Sequence, residues 1–290
     1  MKYLVVKGYL GFGDRLETLK MCVNYALHNN LQIYVDWSDA IWTHGNETFY
    51  TYFNLVNMPV LNSLDDIPAD ATYYPSYWSR NNIKNPCSEE MLRNKKELGV
   101  DVGILGPSTP TNADVLVHCS VSSRSVYLDS GFFARVFRVV NPDILSGIRT
   151  RLSKVQLANC IGVHARGTDR AKRDVRKEHS IQYMVLHAMS FASKPMIVVG
   201  DDAYSIELWK RYYPNTVVFT TLAQANTTNK GNHLATKDEL KNSKYDLTVE
   251  FLTDFFTLAH CERVLSTFKD SRFAQEARRL HPYVKQILDS

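Results

Sequence analysis

The chain has 290 residues, of which 44% are hydrophobic, and its formal net charge at pH 7 is +4. This length is sufficient for about two domains, each with its own core. The small positive charge is too little to argue for a nucleic-acid-binding protein, so we expect no nucleic-acid partner, and it suits an anionic small ligand. No apolar run approaches the ~18 residues that a membrane span requires, and the N-terminal stretch 1–7 is too short and too charged for a secretory signal.

The five cysteines indicate reduced thiols rather than a disulfide framework. Their number is odd and no Cys-x-x-Cys pair occurs. Cys22, Cys119 and Cys160 lie in apolar runs, which is typical of buried thiols. Neither of the two His-Cys dipeptides has the spacing of a zinc site. We therefore expect a cytoplasmic protein without a structural metal.

The N-terminus has the pattern of a strand, a glycine-rich turn, a helix and a second strand. We predict strands over 3–7 and 31–37 and a helix over 16–28, whose apolar residues recur at helical spacing. The turn, Gly8-x-x-Gly11-x-Gly13, would let a diphosphate or an acceptor approach the backbone. Asp36 ends the second strand, where a dehydrogenase would hold a ribose hydroxyl. An NAD-dependent epimerase or dehydrogenase is therefore an alternative, although the glycine spacing differs from the usual fingerprint.

Residues 38–111 are rich in aromatic side chains. The sequence favours ordinary hydrophobic packing for them, and stacking on sugar rings is the alternative. Strand-like pieces occur at 71–74 and 114–119. Near Asn141 the chain changes to a second run of α/β units, so we predict domains over 1–141 and 142–290. The predicted elements of the second run are strands at 161–164, 195–202, 216–220 and 263–268, and helices at 142–152, 180–192, 203–212, 245–261 and 271–279.

Polar side chains lie where the strands of this second run end. They are His164 and Arg166 after one strand, Asp201 and Asp202 after the next, and Ser266 and Thr267 after the last. The carboxyl ends of neighbouring parallel strands converge on one crevice. Alone, each of these residues would more commonly form a salt bridge or a helix cap, so the ordered set is what predicts a site.

This set suits a nucleoside diphosphate. Arg166 offers a planar fork of donors for a diphosphate, and the start of the last helix, after Thr267, could bind the same group. Asp254 could accept hydrogen bonds from a guanine base. No Asp-x-Asp pair is present to hold a metal ion on the diphosphate, so positive side chains and helix N-termini would have to stabilise its charge.

Several motifs resemble a known family. Gly11-Phe-Gly-Asp-Arg-Leu16, followed by Ile33-Tyr-Val-Asp-Trp37, resembles the start of the bacterial nodulation fucosyltransferases. Gly162-Val-His-Ala-Arg-Gly-Thr-Asp-Arg170 resembles the His-x-Arg-Arg-Thr-Asp-Lys motif of the α-1,6-fucosyltransferase group, and Val198-Val-Gly-Asp-Asp202 also matches that group. Asp254, 13 residues before Thr267, is similarly placed. The likeness touches most of the chain except about 40–140.

The resemblance implies the GT-B architecture, an α/β fold of two Rossmann-like domains facing a central cleft. It further implies that a fucosyl group moves from GDP-fucose to a glycan acceptor with inversion and without a metal or other cofactor. The first domain would be the acceptor side and the second would bind the donor. The acceptor, the linkage and the oligomeric state remain open.

Individual roles follow from the same resemblance. It implies that Arg166 binds the diphosphate, that Asp174 is the base and that Arg170 stands for the family lysine. The implied donor-binding residues are His164, Arg166, Asp202, Asp254, Thr267, Phe268, Lys269, Asp270, Ser271, Gly11, Gly13 and Arg15. Gly167 departs from the motif because it replaces the second arginine, and Lys269 could restore that charge. This departure keeps a catalytically inactive sugar-nucleotide-binding or glycan-binding protein as a further alternative.

Overall fold

The protein folds into two α/β units. The computed structural model describes residues 1–110, 112–119, 129–168, 174–222 and 235–289, except the side chains of residues 174 and 175. One compact unit contains Met1–Val140 and the other contains Asn141–Leu288. This division lies one residue from the predicted boundary, and the assignment of acceptor and donor to the two units stays a prediction.

The first unit is built on a parallel sheet with the strand order β2-β1-β5-β4. A separate antiparallel pair joins β3 to β6. The elements of this unit are β1 (Tyr3–Lys7), α1 (Phe12–His28), β2 (Gln32–Asp36), α2 (Phe49–Tyr52), β3 (Phe53–Leu55), β4 (Tyr73–Tyr74), α3 (Glu89–Arg93), β5 (Val115–Cys119), α4 (Ser130–Val136) and β6 (Phe137–Val139).

Aromatic side chains form much of the core of this unit. Phe12 of α1 stacks on Phe53 at a centroid distance of 5.7 Å, and Trp37 packs edge-on against Trp42 at 4.9 Å. The predicted packing is confirmed for five aromatic residues of the 38–111 region, which are all buried: Trp42, Phe49, Tyr52, Phe53 and Trp78. These five cannot stack on a sugar in this arrangement because their ring faces already contact the protein.

The second unit is built on a parallel sheet with the strand order β10-β7-β8-β9. Strand β7 is buried along its whole length, which is why its sequence is apolar up to His164. The elements are α5 (Pro142–Lys154), β7 (Ile161–Ala165), α6 (Asp174–Ala188), β8 (Met196–Gly200), α7 (Ala203–Tyr212), β9 (Val217–Val218), α8 (Lys244–His260), β10 (Arg263–Ser266), α9 (Arg272–Leu280) and α10 (Val284–Leu288).

The predicted helices and strands are present, with three boundaries that matter for the site. Helix α1 begins at Phe12, four residues earlier than predicted, because Gly11 is its extended N-cap. Helix α6 begins at Asp174 rather than at residue 180. Strand β10 ends at Ser266, two residues before the predicted end, and the N–H of Thr267 still donates to the carbonyl of His164 at 3.1 Å.

All five cysteines are buried and form no disulfide, as the sequence predicts. Among the described residues, no helix has both the length and the apolar character needed to cross a membrane.

Candidate functional site

Three neighbouring strands of the second sheet end beside one another. In the register of the sheet, Ser266 of β10 lies opposite His164 of β7, and Ala165 of β7 lies opposite Gly200 of β8. The segments that follow β10, β7 and β8 therefore emerge at one edge of the sheet, as predicted. This edge brings together the motif loop, which we define as residues 166–168, and the polar residues that follow β8 and β10.

The backbone of the motif loop is held from both sides. On the β10 side, the N–H of Arg166 donates to Oγ1 of Thr267 at 2.9 Å. On the β8 side, the N–H of Gly167 donates to Oδ1 of Asp201 at 2.8 Å, and Oγ1 of Thr168 donates to Oδ2 of Asp201 at 2.7 Å. These contacts fix the point from which the side chain of Arg166 projects.

His164 is buried beneath this loop by residues of β10 and α9. Its Nδ1 lies 3.2 Å from Oγ of Ser271 and 3.4 Å from Oγ of Ser266. The imidazole ring also contacts the ring of Phe273, with centroids 4.9 Å apart. Ser271 is in addition the N-cap of α9, since its Oγ accepts from the N–H of Ala274 at 3.3 Å. Ser271 therefore links the histidine to the N-terminus of the last long helix.

Asp202 is the N-cap of α7. Its Oδ2 accepts from the N–H and the Oγ of Ser205 at 2.8 and 2.7 Å, and its Oδ1 accepts from Nζ of Lys177 at 2.9 Å. Gly167 packs directly on this cap, because a Cβ at that position would lie 2.1 Å from Oγ of Ser205 and 2.5 Å from Oδ2 of Asp202. The glycine that departs from the family motif is thus required by the packing of the motif loop on α7.

Asp254 lies on α8 and is bound by two side chains. Its Oδ1 accepts from Nη1 of Arg151 at 2.6 Å, and its Oδ2 accepts from Oγ1 of Thr220 at 2.7 Å. The same Thr220 oxygen accepts from the N–H of Gly200, at the end of β8. Burial raises the pKa of Asp254 to about 6, and the opposing effect of Arg151 is smaller. Contact with a guanine would therefore add to an existing network.

The first glycine turn does not lie in this unit. Gly11 is the N-cap of α1 and Gly13 lies in the first turn of that helix, which follows β1 in the first unit. Arg15 is 1% exposed, and its guanidinium makes a bidentate ion pair with Asp39 at 2.9 and 2.7 Å. It also donates to the carbonyl of Leu10 and packs over the rings of two tryptophans. These contacts give Arg15 a structural role in the first unit and do not support donor binding by it.

Asp36 likewise has structural partners. It forms an ion pair with the fully buried Lys7 and accepts from Oγ of Ser38 at 2.5 Å. Lys7 also donates to the carbonyls of Ile83 and Asn85, which ties the 83–85 segment to the end of β1. The carboxylate that a dehydrogenase would use for a ribose is thus engaged by a lysine from its own sheet.

The remaining predicted site residues lie in the turn before α9 or outside the described side chains. Lys269 and Asp270 are exposed in the turn before α9, and the N–H of Phe268 donates to Oγ of Ser266 at 3.3 Å. Asp174 begins α6, but its side chain lies outside the described residues, as does all of Arg170. The roles predicted for Asp174 and Arg170 therefore stay predictions.

Sequence reasoning missed the buried partners of the two site carboxylates. Arg151 and Thr220 bind Asp254 from positions 103 and 34 residues away, and Lys177 binds Asp202 from 25 residues away. No spacing rule joins such positions. The described residues contain no group of three or more His, Cys, Asp or Glu side chains that could hold a metal ion, and independence from metal stays a prediction.

Several solved structures have the same fold as this chain. The fucosyltransferase NodZ from Bradyrhizobium matches with a TM-score of 0.66 and 17% identity, over 99% of this chain and 94% of that chain. A FUT1 mutant from Arabidopsis thaliana in complex with GDP matches with a TM-score of 0.51 and 14% identity, over 97% of this chain and 69% of that chain.

POFUT1 in complex with GDP matches with a TM-score of 0.51 and 10% identity, over 96% of this chain and 94% of that chain. No protein-family model and no curated protein matches the sequence. The structural matches show that the chain has the GT-B fold of these fucosyltransferases, which confirms the predicted fold class.

Proposed function

We propose that the chain is an inverting, metal-independent glycosyltransferase that moves fucose, or a related sugar, from its GDP conjugate to a hydroxyl of a glycan. Two observations support this proposal. The fold is shared with NodZ over nearly the whole chain, and one NodZ structure is of a crystal soaked with GDP-fucose. The second unit also brings an arginine, a histidine and a helix N-terminus to one edge of its sheet.

The diphosphate would be bound by Arg166 and by the N-terminal end of α9. An arginine fork matches phosphate oxygens in pairs, and the helix N-terminus offers backbone N–H groups and the positive end of the helix dipole. Ser271 caps that helix and contacts His164, so the two parts of the site are mechanically joined. Residues Thr267 to Asp270 connect β10 to the helix and would lie along the same group.

The guanine would be recognised by His164 and Asp254. A carboxylate accepts well from the N1–H and the N2 amino group of guanine. Adenine and uracil lack such a pair of adjacent donors. Thr220 supports this assignment because it binds Asp254 and the end of β8 with one hydroxyl. The resulting preference is for GDP over UDP and ADP.

The transfer itself needs one base and one stabilised leaving group. Asp174 would take the proton of the acceptor hydroxyl. At the same time the acceptor oxygen forms a bond to the anomeric carbon from the face opposite GDP. The bond between that carbon and the diphosphate breaks, and GDP leaves with the electron pair. Base assistance contributes about 10²–10⁴-fold, and a preorganised group at the leaving oxygen contributes about 10²–10³-fold. Arg170, which stands for the family lysine, would add positive charge.

The observation that carries the proposal is the fixation of the Arg166 backbone between Thr267 and the Asp201-bound Gly167. The test is isothermal titration with GDP, GDP-fucose, UDP and NAD in the presence of EDTA. We expect GDP and GDP-fucose to bind unaffected by EDTA, and UDP and NAD to give no signal. Binding of NAD alone would refute the proposal in favour of the dehydrogenase alternative.

Arg166→Ala provides the variant arm. It should keep the melting temperature and lose at least 100-fold in GDP-fucose turnover, measured with a glycan acceptor or as donor hydrolysis. Arg149→Ala is the matched control, since Arg149 is an exposed arginine of α5 in the same unit. Transfer by Arg166→Ala within tenfold of wild type would remove Arg166 from the site. GDP binding without any turnover by wild type would identify a sugar-nucleotide-binding protein instead.

A further inference from the structure

A buried lysine lies behind the motif loop. The side chain of Lys177 is 3% exposed, and its Nζ lies 2.9 Å from Oδ1 of Asp202. The ammonium group is also 5.7 Å from the ring of Tyr204, whose hydroxyl donates to Glu178 at 2.8 Å. Burying an ammonium group is unfavourable unless a carboxylate or several acceptors surround it. The ion pair with Asp202 is one contact that compensates this buried charge.

Asp202 lies directly against the loop that carries Arg166. The Cα of Gly167 packs on its carboxylate so closely that even a Cβ would overlap with Oδ2. Asp201, the preceding residue, accepts two hydrogen bonds from the same loop. Two successive carboxylates thus follow β8 at the place where the proposed function requires a diphosphate to approach Arg166.

An uncompensated carboxylate at this place would repel the diphosphate. Charges in a partly buried site interact several times more strongly than charges in water, and like charges that are brought close together are strongly disfavoured. Lys177 supplies a positive charge on the side of Asp202 that faces α6. It can do so without occupying the motif loop, where the packing of Gly167 excludes an arginine side chain.

We propose that Lys177 is a positioning residue which neutralises Asp202 and thereby lets Arg166 hold a diphosphate. This inference rests on the proposed function. It assigns to Lys177 the compensation for the positive charge that is lost where Gly167 replaces the second arginine of the motif. Lys177 acts through Asp202, and Asp202 acts as the cap of α7 rather than as a direct ligand of the donor.

Three readings of Lys177 make different predictions. If Lys177 only stabilises the fold, its loss weakens the binding of guanosine and of GDP to the same extent. If Lys177 contacts a phosphate itself, its loss weakens the binding of GDP, and removing the charge of Asp202 does not restore that binding. If it neutralises Asp202, its loss weakens GDP selectively, and removing the charge of Asp202 restores binding.

The experiment is a double-mutant cycle with Lys177→Met and Asp202→Asn, titrated with GDP and with uncharged guanosine. Asparagine is as good an N-cap as aspartate, so Asp202→Asn keeps the start of α7. We expect Lys177→Met to lower the affinity for GDP about tenfold and the affinity for guanosine less than twofold. The double variant should bind GDP within threefold of wild type. Lys177→Arg, which keeps the charge, should also bind GDP within threefold of wild type.

A double variant as weak as Lys177→Met, or an equal loss for guanosine, would overturn the proposal. Should Lys177→Met fail to fold, Asp202→Asn alone tests whether the charge of Asp202 opposes the binding of GDP. The proposal expects it to bind GDP at least as tightly as wild type, whereas a direct contact between Asp202 and the donor predicts weaker binding. Failure of the wild-type protein to bind GDP would instead refute the proposed function, and this inference with it.

Discussion

The hydroxyl oxygen of Thr267, just beyond the end of β10, accepts a hydrogen bond from the backbone N–H of Arg166, just beyond the end of β7, at 2.9 Å. The same hydroxyl lies 3.3 Å from the carbonyl of Arg166. One small side chain therefore holds both backbone groups of the residue that we assign to the diphosphate. The contact exists because β7 and β10 are neighbours in the sheet, although the two residues are 101 positions apart.

The first prediction concerns this contact. Thr267→Val keeps the shape of the side chain but removes the hydroxyl, so the loop should lose its anchor on the β10 side. A hydrogen bond of this kind contributes about 0.5–1.5 kcal/mol, and we expect GDP to bind about 2–10-fold more weakly by titration calorimetry. Thr267→Ser, which keeps the hydroxyl, should bind GDP like wild type. Equal affinities for the valine and serine variants would show that the hydroxyl does not position Arg166.

The second prediction concerns Gly167. Gly167→Ala should destabilise the protein by about 1–3 kcal/mol, the usual cost of overpacking, because the new Cβ would overlap with Ser205 and Asp202. Chemical denaturation measures this effect. Gly106→Ala is the control, since nothing lies within 4 Å of a Cβ there. An alanine at 167 that is tolerated as well as the control would contradict the packing argument.

The third prediction tests the structural role of Arg15. Asp39→Asn removes the charge that pairs with the buried guanidinium of Arg15, which breaks a buried ion pair and should cost about 3–5 kcal/mol of stability. The folded fraction should still bind GDP with wild-type affinity. Arg93→Ala breaks an exposed pair with Glu89 and should change stability by less than about 1 kcal/mol. Loss of GDP affinity in folded Asp39→Asn protein would show that the Arg15–Asp39 pair contributes to the donor site.

The fourth prediction follows from the raised pKa of Asp254, about 6 in the folded protein. The unfolded chain releases this proton near the ordinary value of about 4, so between pH 4 and pH 6 the folded state holds the proton more strongly. As the pH rises through this interval, wild type should lose stability relative to Asp254→Asn by at most about 1.4 kcal/mol per pH unit. The difference should be constant above pH 6.

Denaturant unfolding of both proteins from pH 4 to pH 8 tests the fourth prediction. Arg151→Met is a further control, because removing the arginine should raise the pKa of Asp254 and extend the interval to higher pH. A wild-type stability that rises relative to Asp254→Asn across pH 4–6 would show that Arg151 outweighs burial and lowers this pKa.

Much of the fold could be predicted because the signals are local. Strand β7 is an apolar run that ends in charged residues, and the predicted bounds of α7 agree with the observed ones, Ala203–Tyr212. Asp202 is a strong cap at the start of that helix. The short elements between residues 38 and 140 carry weaker signals. Helix α2 has four residues and strand β3 has three, and both depend on tertiary contacts with β6 and the aromatic core.

The candidate site divides in the same way. The sequence by itself determined that polar residues follow three apolar strands, because chain order and residue type place them there. Only the tertiary structure decided which of them contact one another. It also supplies buried partners from elsewhere in the chain, Lys177 for Asp202 and Arg151 for Asp254, and in the first unit Asp39 for Arg15. A buried charge requires a partner, and that partner is set by tertiary packing rather than by spacing in the chain.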